Sequence, residues 1–244
     1  MNTKTALKPA IDTQEIGHFW NDRYSKEGHI WGDEPSQSAL ILADMLSNNA
    51  SILEIGFGYG RDMVALVSQG FRVTGVEIAL EGLNEATRQL QRFIKEGHAH
   101  IQLGDFSRAQ LAQNTFDGVL SHRVLHLLGN NGLVRSFAKV ASNVLKEDGL
   151  LVLSARSDRD FNPDQMRWVD EEARHAEYTI DGREGHGITF WSEQMLTDVF
   201  SKRFDIQSIT QTSERESRDN GVDTHLLTMV ARRRPYPGIG LGNK

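Results

Sequence analysis

The chain has no cysteine among its 244 residues. That absence excludes disulfide frameworks, thiolate zinc sites, cysteine-ligated iron–sulfur clusters and cysteine nucleophiles. Positive charge is also in short supply: 27 Lys and Arg stand against 33 Asp and Glu, a formal net charge of −6. A nucleic-acid partner calls for a basic footprint that displaces counterions from phosphates, so none is expected. The run Arg232-Arg233-Arg234 closes an expected strand and is read as a solvated strand end. No apolar stretch is long enough to span a bilayer, and the lysines near the start lead into no apolar segment of the kind a secretory leader carries. No membrane attachment is expected, and the default location is cytoplasmic.

What is present describes an ordinary globular chain, 39% hydrophobic and 25% charged, too apolar for disorder and of a size that suits one α/β domain. From Ser36 onward, strand-like and helix-like segments alternate, the pattern of a parallel sheet covered on both faces. Ser51–Ile55, Phe71–Ile78, His100–Leu103, Phe116–Ser121 and Leu150–Ala155 read as strands, giving five βα units. Leu80, Leu83, Ala86, Leu90 and Ile94 recur every three or four residues and predict an amphipathic helix over Leu80–Glu96. Val134, Phe137, Val140 and Val144 mark another helix, ended by Asp148-Gly149. Two closing strands, about Phe204–Thr212 and Thr224–Arg232, are joined by a polar stretch too short for a crossover, so they should return antiparallel.

Around this core the chain divides into residues 1–13, expected to be disordered, a helical entry segment 14–47, the main domain 48–234 and a flexible tail 235–244. Within the main domain, 157–190 breaks the alternation with Phe161, Trp168, Tyr178 and Phe190 among many charges. It reads either as a lid that carries specificity or as a satellite core.

The sharpest chemical signal is Leu53-Glu54-Ile55-Gly56-Phe57-Gly58-Tyr59-Gly60, at the turn from the first strand into a helix. Glycines let backbone approach a ligand closely, and the helix behind offers free amides. The spacing Glu-x-Gly-x-Gly-x-Gly differs from the Gly-x-Gly-x-x-Gly of dinucleotide enzymes, and an acid ahead of the first glycine suits an ammonium better than a pyrophosphate. Glu77 closes the second strand, where an acid can accept both ribose hydroxyls, and Asp105-Phe106 follows the third, where a carboxylate and a ring can take an adenine.

With these residues together, the chain resembles class I S-adenosylmethionine-dependent methyltransferases from about Ser51 to Arg233. The resemblance implies a Rossmann-like doubly wound sheet of seven strands, the last antiparallel and inserted beside the fifth, with helices on both faces. It implies S-adenosylmethionine as cofactor, leaving as S-adenosylhomocysteine. Glu54, Gly56, Gly58 and Gly60 would lie beneath its methionine and ribose, Glu77 and Ile78 at the ribose, Asp105 and Phe106 at the adenine, and Ser121 at the strand end facing the methyl. Phe19-Trp20, Arg23-Tyr24, Glu27-Gly28, Trp31-Gly32, Pro35 and Gly60-Arg61-Asp62 are similar to the thiopurine, thiol-halide and tellurite-resistance methyltransferases, in which an entry segment folds over the cofactor. The fourth strand departs from that group, since Ser121-His122-Arg123-Val124-Leu125-His126-Leu127 is closer to general small-molecule methyltransferases.

The expected activity is methyl transfer to a small molecule, with a thiol or other soft nucleophile placed first because it needs little base assistance. An oxygen, nitrogen or carboxylate acceptor remains open, with His122 or His126 as base; so does a non-catalytic cofactor-binding module. Trp20, Trp31, Arg123, Arg156 and His186 are the substrate candidates, the last three suited to an anion. His122 and His126 are four residues apart but lack a recognisable third ligand, so no metal is expected. A DNA or RNA amino-methyltransferase would carry an Asn/Asp-Pro-Pro-aromatic run where Ser121-His122-Arg123-Val124 stands, and a cytosine-C5 enzyme would need a cysteine.

Overall fold

The computed structural model describes residues 13–129, 131–215 and 223–235. The segments expected to be disordered or flexible, 1–13 and 235–244, lie outside the described residues except for Thr13 and Pro235. Two helices, α1 (Thr13–Glu27) and α2 (Gln37–Met45), precede β1 (Ser51–Ile55), α3 (Arg61–Ser68), β2 (Arg72–Glu77), α4 (Leu80–Lys95), β3 (Ala99–Leu103) and β4 (Phe116–Ser121). Then come α5 (Asn131–Val144), β5 (Leu145–Arg156), β6 (Met166–Asp170), β7 (His175–Tyr178), β8 (Gly187–Thr189), α6 (Glu193–Phe200), β9 (Phe204–Arg215) and β10 (Asp223–Arg233).

Seven strands form one sheet in the order β3-β2-β1-β4-β5-β10-β9. Strands β1 to β5 pair in parallel, and β10 lies antiparallel between β5 and β9. This is the doubly wound arrangement that the resemblance implies. Strand order reverses between β1 and β4, so a crevice opens beyond their carboxyl ends, where open α/β sheets bind ligands. Two sequence expectations are corrected. Residues 104–115, between β3 and β4, form turns and no helix. Helix α5 ends at Val144, not at Asp148-Gly149; Asp148 instead takes φ 59° inside β5, where the pairing with β4 shifts register.

The central strands are buried on both faces, which explains their near-continuous apolar runs. In β1, Leu53 and Ile55 pack with Phe137, Ala141 and Phe200 of α5 and α6, while Ile52 packs on the opposite face with Leu42, Met63 and Leu90 of α2, α3 and α4. Strand β5 alternates in the same way, Leu151 and Leu153 against Leu150 and Val152. Ser36 caps α2, its hydroxyl accepting from the Ala39 amide at 3.1 Å, and Ser192 caps α6 through the Met195 amide at 3.3 Å. Residues Met166–Thr189 fold as a three-stranded antiparallel sheet, β6-β7-β8. There Phe161 stacks on Trp168 at 4.1 Å and both meet Phe190 edge-on, so these aromatics form a small core of their own. Among the described residues, no helix is long and apolar enough to cross a membrane.

Candidate active site

The glycine turn after β1 is built for close approach. Gly56 has φ 77° and Gly58 φ 58°, which L side chains rarely adopt. A Cβ at Gly56 would run into the Val124 side chain, and one at Gly58 would lie 2.6 Å from Tyr24 Oη. Behind the turn, Gly60 starts α3. Glu77 fixes the turn against β2: Oε2 accepts from the Gly58 amide at 2.7 Å, and Oε1 from the amides of Ile78 and Ala79, both at 2.8 Å. Burial raises the Glu77 pKa, with the three amide bonds opposing. Asp105 accepts from the Ser107 amide at 2.8 Å, closing an Asx turn, and Phe106 meets Phe137 edge-on at 5.6 Å.

Glu54 is the outlier. It is 2% exposed, and its Oε2 has no hydrogen-bond partner among the described residues. Burial, reinforced by the charges of Asp62 and Glu77 and opposed by Arg61, pushes its pKa well above the usual carboxylate range. A buried carboxylate oxygen left unpaired is costly, and this one lines the crevice, where a cationic ligand group would satisfy it. Gly56, Gly58, Glu77, Ile78, Asp105 and Phe106 line the same crevice, whereas Gly60 and Ser121 lie behind its wall, with the Ser121 hydroxyl donating to the Ile55 carbonyl at 3.1 Å.

The entry segment is tied to the glycine turn by polar residues at the start of α3. Tyr59 Oη donates to the Gly32 carbonyl at 2.6 Å and accepts from the Trp31 amide at 3.1 Å. Arg61 Nη1 donates to the Trp31 carbonyl at 3.2 Å, and Asp62 accepts from the Ser36 amide and hydroxyl at 2.6 and 2.7 Å. In the sequence, Arg61 and Asp62 stood out only through a family resemblance; their burial in the first turn of a helix is the physical signal.

The two histidines, four residues apart, serve different chambers. His122 lines the crevice. Its Nε2 bonds Glu214 Oε2 at 2.9 Å, and its Nδ1 meets the hydroxyls of Ser154 at 2.8 Å and Ser38 at 3.1 Å. A carboxylate can only accept, so Nε2 carries a proton. Glu214 itself went unnoticed in the sequence, because it stands on an edge strand in no motif. Arg61 and Arg123 come within 3.5 and 3.7 Å of it. Burial raises its pKa, but the His122 bond and the charges of His122, Arg61 and Arg123 outweigh burial and hold it at about 2.

His126, in the 3-10 turn Leu125–Leu127, is 4% exposed and lines a second chamber beside the crevice. Its Nδ1 has no hydrogen-bond partner among the described residues. Burial, then the charges of Arg156, Arg123, His186 and His122, holds its pKa well below the ordinary value of 6.5, so the ring is neutral. Trp20, Trp31, Arg123 and Leu127 line both spaces, so the two chambers adjoin. Arg123 sits at φ 60° with its guanidinium 5.1 Å from the Trp31 ring centroid. Arg156 bonds Asp160 and the Tyr178 hydroxyl, and His186, on the β7–β8 loop, stacks on Phe19 of α1 at 3.6 Å. The structure therefore brings the five substrate candidates of the sequence around one space. No group of three His, Asp or Glu among the described residues could hold a metal ion.

Residues 53–153, from β1 through β5, match a family model described as a methyltransferase domain. The chain thus carries a methyltransferase domain within a fold of the class I S-adenosylmethionine-dependent kind. Solved structures share the fold. A Burkholderia thailandensis 1,6-didemethyltoxoflavin-N1-methyltransferase with bound 1,6-didemethyltoxoflavin and S-adenosylhomocysteine is 21% identical with a TM-score of 0.68, covering 94% of each chain. A Methanosarcina mazei S-adenosylmethionine-dependent methyltransferase is 19% identical with a TM-score of 0.65, covering 80% of this chain and 98% of that one. TehB from Haemophilus influenzae is 18% identical with a TM-score of 0.61, covering 88% of this chain and 67% of that one. None of the curated proteins matches this methyltransferase by sequence.

Proposed function

We propose that this methyltransferase methylates a small molecule at an oxygen or nitrogen whose proton passes to His126. The observation that carries the reading is the buried, neutral His126, whose unbonded Nδ1 faces no competitor beside the cofactor crevice. The residues present suit the cofactor: the unpaired oxygen of Glu54 fits the ammonium of its methionine part, and the open backbone at Gly56 and Gly58 fits close packing. Glu77, with three amides already bonded, keeps one lone pair on Oε2 for the ribose, and Asp105 with Phe106 serves the adenine.

When bound, the cofactor supplies a methyl on a sulfonium: the acceptor's electron pair forms the new bond to carbon while the carbon–sulfur pair returns to sulfur. The protein's share is then alignment, exclusion of water and proton management. Trp20 and Trp31, which line both chambers and pack on each other at 5.6 Å, offer an acceptor an aromatic wall. The entry segment 14–47 and the insertion 157–190 enclose it, with Phe19 stacked on His186 across the join. His126 takes the proton, and His122, held on both nitrogens by Glu214, Ser154 and Ser38, keeps Arg123 and Glu214 in place. The Burkholderia neighbour's 1,6-didemethyltoxoflavin supports a small acceptor of this kind.

The test is S-adenosylhomocysteine release against an acceptor screen, followed by His126→Gln. A fall in kcat of about a hundredfold, with cofactor affinity unchanged, supports base catalysis. Loss of only a fewfold would return the reading to a thiol or other soft nucleophile, and methylation of intact protein or RNA alone would overturn it.

A further inference from the structure

We propose that the second chamber is an anion site that holds the carboxylate of the methyl acceptor, which is therefore a small planar organic acid; this rests on the methyl-transfer reading above. The chamber wall carries Arg23, Arg123, Arg156, Arg183, His126 and His186, and among the described residues no aspartate or glutamate. In a chain of net charge −6, such a one-signed enclosed wall runs against composition. The carboxylates seen against these arginines, Glu27 on Arg23, Asp160 on Arg156 and Glu214 near Arg123, are not on the wall and hold the guanidiniums from outside it. Enclosure strengthens the field such charges exert on a ligand.

The neutral polar groups tell the same story. His186 Nε2, Trp20 Nε1 and Trp31 Nε1 are buried on this wall with no hydrogen-bond partner among the described residues. Indole N–H groups can only donate, so the missing partner is an acceptor, which a carboxylate supplies. Buried donors left unmatched are uncommon in native structures, and several facing one space point to a ligand that matches them. A flat ligand suits the aromatic wall, where Phe19, Trp20, Trp31 and Tyr178 line the chamber. The free space within the chamber is small, about 20 Å³, so the carboxylate itself enters and the rest of the acid lies outside it. Because Trp20, Trp31 and Arg123 wall both chambers, an acid anchored here presents its other end to the cofactor crevice.

The experiment uses the full chain saturated with S-adenosylhomocysteine and titrated calorimetrically with benzoate, nicotinate and naphthoate, each against its carboxamide. The acids are expected to bind at least tenfold more tightly than the amides. Arg183→Gln, on the β7–β8 loop, should erase most of that preference, and Arg156→Gln should do the same if it folds, as judged by circular dichroism. His126→Gln should keep the acid preference while losing turnover. Amides binding as well as acids, or no acid binding to a chain that does bind S-adenosylhomocysteine, would overturn the proposal. Failure to bind S-adenosylhomocysteine would instead overturn the cofactor reading beneath it.

Discussion

Replacing Glu214 by glutamine tests whether the far hairpin is part of the active site. The carboxylate sits on β9 yet takes the Nε2 proton of His122 at 2.9 Å and faces Arg61 and Arg123 at 3.5 and 3.7 Å. Its side chain is 15% exposed, so solvent screens little of this. Burial works against the charge, and the His122 hydrogen bond together with its charged surroundings more than compensates, carrying the carboxyl from 4.5 to about 2. At about 1.4 kcal/mol per pH unit, that corresponds to about 3 kcal/mol of stability at neutral pH. Glutamine keeps the shape and removes the buried charge that Arg61 and Arg123 face, so a loss of about 2–4 kcal/mol is expected. For a chain of this size that lowers Tm by roughly 5–15 °C. Because the folded pKa is depressed, the contribution is complete above pH 4.5 and fades as pH falls toward 2. Thermal melts of wild type and Glu214→Gln between pH 7 and 2.5 should therefore converge at the acid end. A variant melting within about 1 °C of wild type at pH 7, or a gap that stays constant with pH, would refute the network.

Glu54→Gln should stabilise the cofactor-free chain by about 1 kcal/mol, since it removes the cost of burying that carboxylate and then its repulsion with Asp62 and Glu77, yet weaken S-adenosylmethionine binding by about tenfold or more; melting and calorimetry read the two effects separately. Gly56→Ala should cost stability and cofactor affinity together, because φ 77° is unfavourable for alanine and the new methyl meets Val124; equal affinity in a titration would argue against a close backbone approach there. His186 is held at about 4 by burial and then by the charges of Arg23, Arg183, Arg156 and His175. The unfolded chain takes up that proton below 6.5 while the folded chain does not, so stability should fall as pH drops from 6.5 to 4, and His186→Gln should flatten this limb in acid melts. An anion in the chamber would offset those arginine charges and raise the histidine pKa values, so aromatic acids should bind more tightly as pH is lowered from 8 to 6; a pH-independent affinity would count against the anion site.

How far the sequence could be read depended on the range over which each residue acts. Glu54, Glu77 and Asp105 were legible because a parallel sheet puts its chemistry at strand ends, and a strand end can be found from local periodicity alone. The same logic exposed the closing pair, whose polar connection is too short for a crossover. Asp148-Gly149 misled because a turn dipeptide after a helix signals a stop, whereas here β5 pairs with β4 from Leu145 and absorbs the dipeptide as a bulge. Within 157–190, Phe161, Trp168 and Phe190 pack on one another, while Tyr178 and His186 of the same segment wall the second chamber. What no local pattern could give is pairing across the fold. Glu214 lies 92 residues from His122, and Tyr59 reaches back 27 residues to Gly32. These contacts decide what His122 can do. With its Nε2 proton committed to Glu214 and its Nδ1 bonded to two serine hydroxyls, it has no nitrogen free for an acceptor, while His126, equal to it in the sequence, keeps Nδ1 open. The choice between the two histidines is thus made by residues outside every motif, so exchanging Glu214 for glutamine should reach activity only through His122 and stability, and His126→Gln should reach it directly.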